Sequence, residues 1–334
     1  MGAIISNYCS LTRFILVLTT QMSIRTQKII SSMRVFHRLV VPALLLISAG
    51  CVSVPPEQKL LKNAAVHADI ATKGSCDKDR IIRHSNGSSS QQVEELDPGR
   101  ISVLNWNVYK GQRDNWEDDF QRYTYKQDVI IIQEAHLGDS MEALLDKEHH
   151  HWSLNAAFYL DDRATGVMTA SRVKPLYSCG QRTTEPFIRT PKTSLISYYP
   201  VAGQQQNLLV ANMHGINFTF GVDVYQEQID ELYEAMKHHR GPVILAGDFN
   251  TWSDARMGIV MDMAARLSLS SLDYTNHNHT RTLVFGNALD HVFYRGLEPL
   301  EHDTWYVTSS DHNPTRASFR IKPGADYEID VAAR

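Results

Sequence analysis

The sequence has few of the features that mark specialised protein classes. Cysteine occurs four times in 334 residues, and Gly and Pro contribute only 18 and 12 residues. Long apolar runs are confined to the amino terminus, while the whole chain is 43 % hydrophobic and 21 % charged. These values exclude a collagenous, coiled-coil, wholly disordered or polytopic membrane protein. They are typical of a globular chain with ample core, folded as one large domain or two modest ones.

Basic residues are unevenly distributed along the chain. Residues 1–51 contain five basic and no acidic residues, which leaves 28 Lys and Arg against 37 Asp and Glu in residues 52–334. The body of the chain therefore has a formal net charge of −9. Tight, sequence-independent binding of nucleic acid requires a basic face that neutralises phosphates, and this balance does not favour one.

The amino-terminal segment has the three parts of an export signal. Met33–Cys51 begins with Arg34 and Arg38, continues as an apolar run over 39–47 and ends in small residues. The run is too short to span a bilayer as a permanent helix, which needs about 20 apolar residues. We therefore expect a periplasmic or membrane-anchored protein whose translation starts at Met33. A core helix or a retained anchor is the alternative, and the protein is cytoplasmic if the segment is not a working signal.

Three cysteines bear on the same question. Cys51 follows Ala49-Gly50 and resembles the lipidated cysteine of a bacterial lipobox, which would attach the protein to a membrane. Ser48 departs from that pattern, because Leu, Val or Ile is usual at this place. If Cys51 carries lipid, Cys76 and Cys179 are left to pair in an oxidising periplasm, and two unconnected thiols are the alternative.

The remainder of the chain divides into three segments. Residues 52–99 are polar and broken by Pro and Gly, which predicts a tether followed by a disordered or loosely packed segment. Residues 100–322 alternate strand-like and helical patterns and predict one α+β domain with packed sheets. The run 128–134 is apolar until its polar end, as in a central strand buried on both faces. Residues 323–334 form the expected frayed tail.

A helix is predicted after Ser253, which is a favourable amino-terminal cap. Its apolar residues recur at helical spacing, which predicts that Met257, Val260, Met261 and Ala264 share the buried face.

Short polar clusters follow the strand-like runs. They are Asn105-Trp106-Asn107, Gln133-Glu134, Asn212-Met213-His214, Gly247-Asp248-Phe249-Asn250 and Ser309-Ser310-Asp311-His312-Asn313-Pro314. Any one of them has a simple explanation, because loops are polar. Five such endings on one side of a sheet system would bring these groups into one cleft.

The composition of these clusters limits their chemistry. The sequence has no Gly-rich phosphate loop, no G-x-S-x-G nucleophile motif and no Cys/His pair with zinc spacing. Carboxylates, side-chain amides and imidazoles remain. Hard oxygen ligands select Mg²⁺, Mn²⁺ or Ca²⁺. A divalent cation beside an activated water is an arrangement that cleaves phosphoesters.

The five clusters, together with Leu289-Asp290-His291-Val292, resemble the ordered motifs of the endonuclease/exonuclease/phosphatase superfamily, the deoxyribonuclease I-like proteins. Order and approximate spacing match over residues 100–321. Within it, the segments Asn-x-Tyr-Lys, Gly-Val-Asp-Val-Tyr and Gly-Asp-Phe-Asn-x-Trp-Ser resemble an uncharacterised proteobacterial group. The resemblance implies a four-layer α/β/β/α sandwich with its site at the sheet edges. It also implies a phosphoester substrate, cleaved by a nuclease or by a small-molecule or lipid-headgroup phosphoesterase.

The resemblance implies a Mg²⁺ or Mn²⁺ site and a set of catalytic groups. Glu134 is the implied principal metal ligand, and Asn107 and Asp311 lie beside or on the ion.

The implied catalytic groups act on the water and on the phosphate. Asp248 takes a proton from the attacking water or orients it, and Asn250 holds the water and the phosphate through its amide. His214 and His312 donate to the phosphate oxygens. Asp290 holds the ring of His312 and favours the imidazolium.

The sequence departs from the family pattern at one position. Tyr109 stands where some members have a metal-binding Asp, so the site has one carboxylate fewer. Lys110 contacts phosphate or is an ordinary exposed lysine. Three residues near strand ends are weaker candidates for a substrate pocket: Arg189, Lys192 and Asn217. The alternative function is a non-catalytic exported binding or structural module, against which stands the retention of so many carboxylates and imidazoles together.

Overall fold

The computed structural model of the chain describes residues 52–63, 76–85, 94–148, 150–274 and 280–323. The predicted export signal and Cys51 lie outside these residues, as does most of the predicted tail. Within the described ranges, no helix is both long and apolar enough to cross a bilayer.

The chain divides into two compact units. The smaller one includes strand β1 (Val52–Ser53), which pairs antiparallel with Tyr159 and Leu160. The larger one comprises residues 54–158 and 163–334, and the candidate active site belongs to it.

Two mixed β-sheets form the centre of the larger unit. The first contains β2 (Lys59–Lys62), β3 (Ile101–Asn107), β4 (Val129–His136), β5 (His151–Leu160), β6 (Arg163–Ser171), β15 (Leu297–Thr304) and β16 (Thr315–Ile321). Its order is β5-β6-β4-β3-β16-β15, with β2 also paired to β5. The second contains β7 (Tyr177–Thr184), β8 (Pro191–Tyr199), β9 (Leu208–His214), β10 (Val243–Asp248), β11 (Ser270–Ser271) and β14 (Asp290–Arg295). Its order is β11-β14-β10-β9-β8-β7. A separate hairpin pairs β12 (Leu283–Val284) with β13 (Asn287–Ala288).

Helices cover the outer faces of the sheets. They are α1 (Lys78–Ser85), α2 (Trp116–Thr124), α3 (Asp139–Lys147), α4 (Asp223–Met236) and α5 (Asp254–Arg266), with a 3-10 turn at Tyr109–Gly111.

Apolar side chains hold these four layers together. Between the sheets, Val129 and Phe319 of the first pack with Val210 and Ile244 of the second in one buried cluster. On the outer face of the second sheet, a second buried cluster joins its strands to α4 and α5. On the first sheet, Trp106 stacks on Phe120 of α2 with ring centroids 6.5 Å apart. The predicted α/β/β/α sandwich is confirmed.

The expectation of a loose tether at 52–99 is wrong for the part of it that the structure describes. Leu60 of β2 and Leu96 are buried, and Ile81 of α1 joins the core cluster of the second sheet. Cys76 and Cys179 form a disulfide with their Cα atoms 4.9 Å apart. A few scattered apolar residues and one cysteine thus attach this segment, which looks polar in sequence, to the two sheets.

Helix α5 begins where the sequence predicts, but its buried face coincides only in part with the predicted one. The Ser253 side chain accepts from the backbone N–H of Arg256 at 3.4 Å. Val260 and Ala264 are buried as expected, whereas Met261 is 43 % exposed and Met263 is buried in its place. Apolar residues occur on more than one side of this helix, so packing against the sheet decides which side is covered.

Candidate active site

Strand register brings three of the predicted residues side by side on the second sheet. In the parallel pair of β9 and β10, His214 lies opposite Asp248. In the antiparallel pair of β10 and β14, Asp248 lies opposite Asp290. All three residues are buried. The polar ends of these strands therefore share one edge, as the sequence predicts.

The first sheet contributes Asn107 and Glu134 to the same cleft. Asn107 lies opposite Gln133 in the parallel pair of β3 and β4. The next residue, Glu134, has a left-handed backbone with a φ of 52°, inside a register shift between Ile132 and Ala135. A bulge of this kind redirects a side chain that a regular strand would place elsewhere. Non-glycine residues held in this region are often functional.

Amide side chains connect the two sheets beneath the site. Asn107 Nδ2 donates to Asp248 Oδ2 at 3.1 Å. Gln133 Nε2 donates to Asn212 Oδ1 at 2.8 Å and to Asn105 Oδ1 at 3.0 Å. Because each bond inside this layer satisfies a buried polar group, the two sheet edges are held in a fixed relation.

The loop after β15 supplies His312. Ser310 Oγ donates to the backbone oxygen of Asn107 at 2.7 Å, and Trp106 Nε1 donates to the backbone oxygen of His312 at 2.9 Å. His312 Nδ1 donates to Asp290 Oδ2 at 2.8 Å, and His312 Nε2 lies 3.7 Å from Asp248 Oδ2. Burial works to lower the pKa of His312, but Asp290 and Asp248 outweigh it and raise the pKa to about 10. The ring is therefore an imidazolium near neutral pH, with Nε2–H turned to Asp248.

Asp248 is the central carboxylate of the cluster. Its Oδ1 accepts from the backbone N–H of Asn250 at 3.0 Å, and its Oδ2 accepts from Asn107. Burial raises the pKa of Asp248 to about 6, with the His312 imidazolium opposing the rise and Asp290 adding to it. Asn250 has a left-handed backbone with a φ of 52°, and its Nδ2 donates to the backbone oxygen of Gly215 at 2.9 Å. A carboxylate with a pKa just below neutral suits a general base.

Two lysines converge on Glu134. Lys110 Nζ donates to Glu134 Oε2, and Lys192 Nζ lies 3.8 Å from Glu134 Oε1. Burial works to raise the pKa of Glu134, but Lys192 and Lys110 outweigh it, so the pKa lies below its ordinary value. Glu134 is thus a carboxylate anion even in a largely buried position.

His214 is held in the neutral form. Lys192 Nζ lies 2.8 Å from His214 Nε2, so the ammonium donates and the ring nitrogen accepts. Burial lowers the pKa of His214 well below its ordinary value, and Lys192 and the His312 imidazolium lower it further. The cation at this place is therefore the lysine ammonium, whereas the sequence assigns donation to His214.

Oxygen donors converge at the same point. His214 Nε2 lies 3.9 Å from Glu134 Oε1 and 3.4 Å from Asp248 Oδ2, so the two carboxylates flank one small volume. Carboxylate and amide oxygens are the ligands that Mg²⁺ and Mn²⁺ prefer, and this donor set fits such a cation. In the described residues, the ligand atoms of Asp248, Asp290 and His312 also lie within 4.8 Å of one another and could hold a metal. That group coincides with the predicted catalytic residues rather than with the predicted metal ligands.

Asp311 is the predicted site residue least integrated into the cluster. Asp311 is exposed, and its Oδ1 accepts a hydrogen bond from Ser310 Oγ at 3.4 Å. Its role as a metal ligand stays a prediction.

Two buried charged residues below the site are not apparent from the sequence. Arg256 Nη1 donates to the backbone oxygens of Ile216 and Asn250 at 2.6 and 3.1 Å, and its Nη2 donates to that of Asn217 at 2.9 Å. Glu185 Oε1 accepts from the backbone N–H of Asn217. Together they fix the loop that follows His214. An isolated Arg in an amphipathic helix and an isolated Glu in a loop carry no local signal of such a role.

A cavity of about 310 Å³ opens beside Glu134. Lys110, Lys192, His214 and Asn217 are among its lining residues. Lys110 and the weaker candidates Lys192 and Asn217 are thus placed at the site. A larger cavity of about 630 Å³ lies beside Cys76 and α4, and none of the predicted site residues lines it.

Comparison with known proteins agrees with this architecture. Residues 104–312 match the Endonuclease/Exonuclease/phosphatase family. The chain belongs to this family. Its members are metal-dependent nucleases and phosphatases. The predicted resemblance is confirmed, including that to an uncharacterised proteobacterial group. The UPF0294 protein VV2535 of Vibrio vulnificus is 38 % identical over 246 residues, which cover 71 % of this chain and 86 % of the relative.

Solved structures share the fold at low sequence identity. The human Nocturnin catalytic domain with bound sulfate is 17 % identical, with a TM-score of 0.54 over 69 % of this chain and 97 % of that one. ANGEL2, a 2′,3′-cyclic phosphatase in complex with adenosine-2′,3′-vanadate, is 16 % identical to this chain. The match has a TM-score of 0.53 and covers 71 % of this chain and 100 % of ANGEL2. At this identity the likeness establishes the fold.

The raised pKa of His312 predicts a pH dependence of stability. Because the folded pKa of about 10 exceeds the ordinary value of 6.5, the imidazolium stabilises the fold fully below pH 6.5, and this contribution is lost as pH rises toward 10. Asp290→Asn should lower the pKa of His312, because the variant loses a negative charge that stabilises the imidazolium while the burial that destabilises it remains. Histidine NMR titration in EDTA, with urea unfolding at pH 6 and pH 9, measures both effects. Asp262→Asn on the exposed face of α5 is the matched control. An unchanged His312 titration in Asp290→Asn would contradict the assignment.

Proposed function

We propose that the protein is a divalent-metal-dependent phosphoesterase that hydrolyses a phosphodiester or phosphomonoester by in-line attack of water. One observation carries the proposal. The buried Asp290–His312 pair stands beside the Asp248 carboxylate and across the cleft from Glu134 and two lysines. A scaffold gains no stability from burying so many unlike charges together.

Asp248 is the group that acts on the attacking water. Asn107 and the backbone N–H of Asn250 hold its two oxygens, so the carboxylate is fixed in orientation. With a pKa of about 6 it is ionised at neutral pH, and it accepts a proton from the water or aligns it for attack.

Cationic donors stabilise the charge that moves onto the phosphate during attack. His312 Nε2–H, held as an imidazolium by Asp290, and the Lys192 and Lys110 ammonium groups point to one region of the cleft. Such preorganised donors stabilise a transition state more than they stabilise the substrate. Glu134 and Asn107, with Asp311 as the third proposed ligand, would hold a divalent cation, which would supply Lewis-acid stabilisation of the phosphoryl oxygen.

The substrate class is narrowed only to phosphoesters. ANGEL2, which shares the fold, is described as a 2′,3′-cyclic phosphatase, and members of the family include nucleases and phosphatases. DNA, RNA, phosphoinositides, sphingomyelin and bis(p-nitrophenyl) phosphate form the informative panel, each with Mg²⁺ or Mn²⁺ and an EDTA control. A non-catalytic binding module is the alternative, and it predicts no turnover of any of them and no binding of either cation in calorimetry.

Asp248→Asn and His312→Ala should each lower kcat for bis(p-nitrophenyl) phosphate by about a hundredfold or more, because they remove the proposed base and a transition-state donor. Steady-state kinetics at saturating Mg²⁺ measure the effect, and thermal unfolding checks that both variants are folded. Asp262→Asn, which removes an exposed carboxylate of α5, should keep wild-type kinetics. Full activity in both site variants would show that the site is wrongly assigned.

Lys192→Met should weaken binding of the phosphoester substrate and strengthen binding of the divalent cation. Loss of its ammonium should raise KM about tenfold, since charged hydrogen bonds to phosphate are strong. It should also tighten Mn²⁺ binding, because Glu134 then has less competing positive charge. Kinetics and calorimetry measure the two effects separately. Lys147→Met at the exposed end of α3 is the control. Weaker cation binding in Lys192→Met would argue against a metal on Glu134.

We further propose that the protein is exported, with residues 33–51 as the signal and lipid on Cys51 as a membrane anchor. The disulfide between Cys76 and Cys179 supports an oxidising compartment. Alkaline phosphatase fused after residue 60 should be active in cells, and replacing Leu39–Ile47 by polar residues should abolish that activity. A fusion that is inactive in both forms contradicts export. Radiolabelled palmitate incorporation that is lost in Cys51→Ser tests the anchor.

A further inference from the structure

Four large apolar side chains are exposed on two neighbouring loops. Phe187 and Ile188 lie between β7 and β8 and are 52 % and 51 % exposed. Phe218 and Phe220 lie between β9 and α4 and are 54 % and 87 % exposed. The rings of Phe187 and Phe220 meet edge to face with centroids 4.7 Å apart, so the loops form one surface, here called the apolar rim. Clustered apolar exposure of this kind marks a binding surface more often than scattered single residues do.

The apolar rim adjoins the charged part of the site. Ile188 and Phe218 line the same 310 Å³ cavity as Lys110, Lys192 and His214. The two lysines are largely buried and cationic, whereas the rim is uncharged and open to solvent. Glu134, which both lysines contact, lines the same cavity, so a ligand meets a charged group with one excess positive charge at its inner end and apolar surface at its outer end.

Buried charged groups hold the loop that carries Phe218. Glu185, which is fully buried, accepts from the backbone N–H of Asn217 and from that of Phe218 at 3.4 Å. Arg256, also fully buried, donates to Thr219 Oγ1 at 3.0 Å as well as to the preceding carbonyls. The exposure of Phe218 is thus a property of a loop held in place by buried groups, and such a surface costs little reorganisation when a ligand binds.

We propose that the apolar rim is a subsite for an alkyl or acyl chain attached close to the phosphate of the substrate. The proposal rests on the proposed phosphoesterase function and narrows it to amphiphilic phosphoesters. The phosphate lies against Lys110 and Lys192, and the chain extends over Ile188 and Phe218 toward Phe187 and Phe220.

Charge and ring geometry favour such a ligand over a polynucleotide. A polynucleotide carries a phosphate at every nucleotide and requires cations along its path, whereas the four rim side chains are uncharged. Phe187 and Phe220 meet at 90°, which gives an apolar corner rather than a parallel platform for stacked bases.

Binding of two alkylphosphonates, which are not hydrolysed, tests the subsite directly. With Mg²⁺ present and below micellar concentrations, octylphosphonate should bind wild-type protein at least about tenfold more tightly than ethylphosphonate, since each fully buried methylene contributes roughly fourfold. Phe218→Ser and Phe220→Ser should reduce that ratio to about threefold or less. Lys192→Met should weaken both ligands and preserve the ratio. Met261→Ser, on an exposed part of α5 outside the cavity, should change neither affinity.

Three results would overturn the subsite. The first is equal affinity of wild-type protein for the two phosphonates, and the second is a ratio that survives both Phe variants. The third is thymidine 5′-phosphate binding more tightly than octylphosphonate and losing that advantage in Phe218→Ser, which assigns the rim to nucleotides. Because binding is measured without turnover, a protein that prefers octylphosphonate but hydrolyses no phosphoester keeps the subsite and loses the proposed function.

Sedimentation with phosphatidylcholine vesicles separates two sources of the chain. Wild-type protein that sediments with the vesicles, when Phe220→Ser does not, indicates a lipid taken from a membrane. Wild-type protein that stays in solution but keeps its preference for octylphosphonate indicates a free amphiphile. Either result supports the alkyl subsite.

Discussion

The buried ion pair between Asp290 and His312 is the interaction on which the rest of the site depends. Removing two charges from water is costly, and only close pairing and further hydrogen bonds compensate for it. Asp290 keeps His312 protonated, and the imidazolium in turn limits the rise in the pKa of Asp248. Without that cation, Asp248 would lie beside Asp290 with Lys192 as the remaining positive charge among its neighbours, and its pKa would rise further. The pKa of Asp248, the proposed base, is thus kept at about 6 by His312, which Asp290 of β14 holds in place.

The positions of these charges follow from backbone geometry. Strand register aligns His214, Asp248 and Asp290, whereas two left-handed residues, Glu134 and Asn250, supply what regular strands cannot. Positive φ costs a non-glycine residue of order 1–3 kcal/mol, so the surrounding contacts must enforce it. The amide layer of Gln133 and Asn212 and the Arg256 guanidinium below Asn250 are the contacts that do so. Part of the free energy of folding therefore offsets the strain that orients a few side chains.

The sequence predicts the residues that end strands better than those that act across space. Apolar runs followed by polar clusters locate Asp248, Glu134 and His312, because a strand and its end are both local patterns. The pairing of Lys110 with Glu134 joins residues 24 apart, and that of Lys192 with His214 joins residues 22 apart. Neither has a periodic signature. Arg256 looks like an exposed helix residue in the sequence but is buried in the structure. Met261 shows the opposite, since its apolar spacing predicts burial and its side chain is exposed. In the described parts of 52–99, a few buried apolar residues such as Leu60 and Leu96 anchor the chain, and the polar residues around them hide that signal in the sequence.

Net charge illustrates the same limit on a larger scale. The body of the chain has a formal charge of −9, which argues against a broad basic face. Yet the site concentrates Lys110, Lys192 and the His312 imidazolium among the carboxylates of Glu134, Asp248 and Asp290. At such distances, inside a region of low dielectric, local charges dominate those farther than a Debye length away. The acidic body and the cationic cavity are therefore compatible, and a single phosphate can bind where an extended polyanion would be repelled. In the proposed function, the strand ends carry the chemistry and the loops beside them carry the selectivity, so each could change without the other.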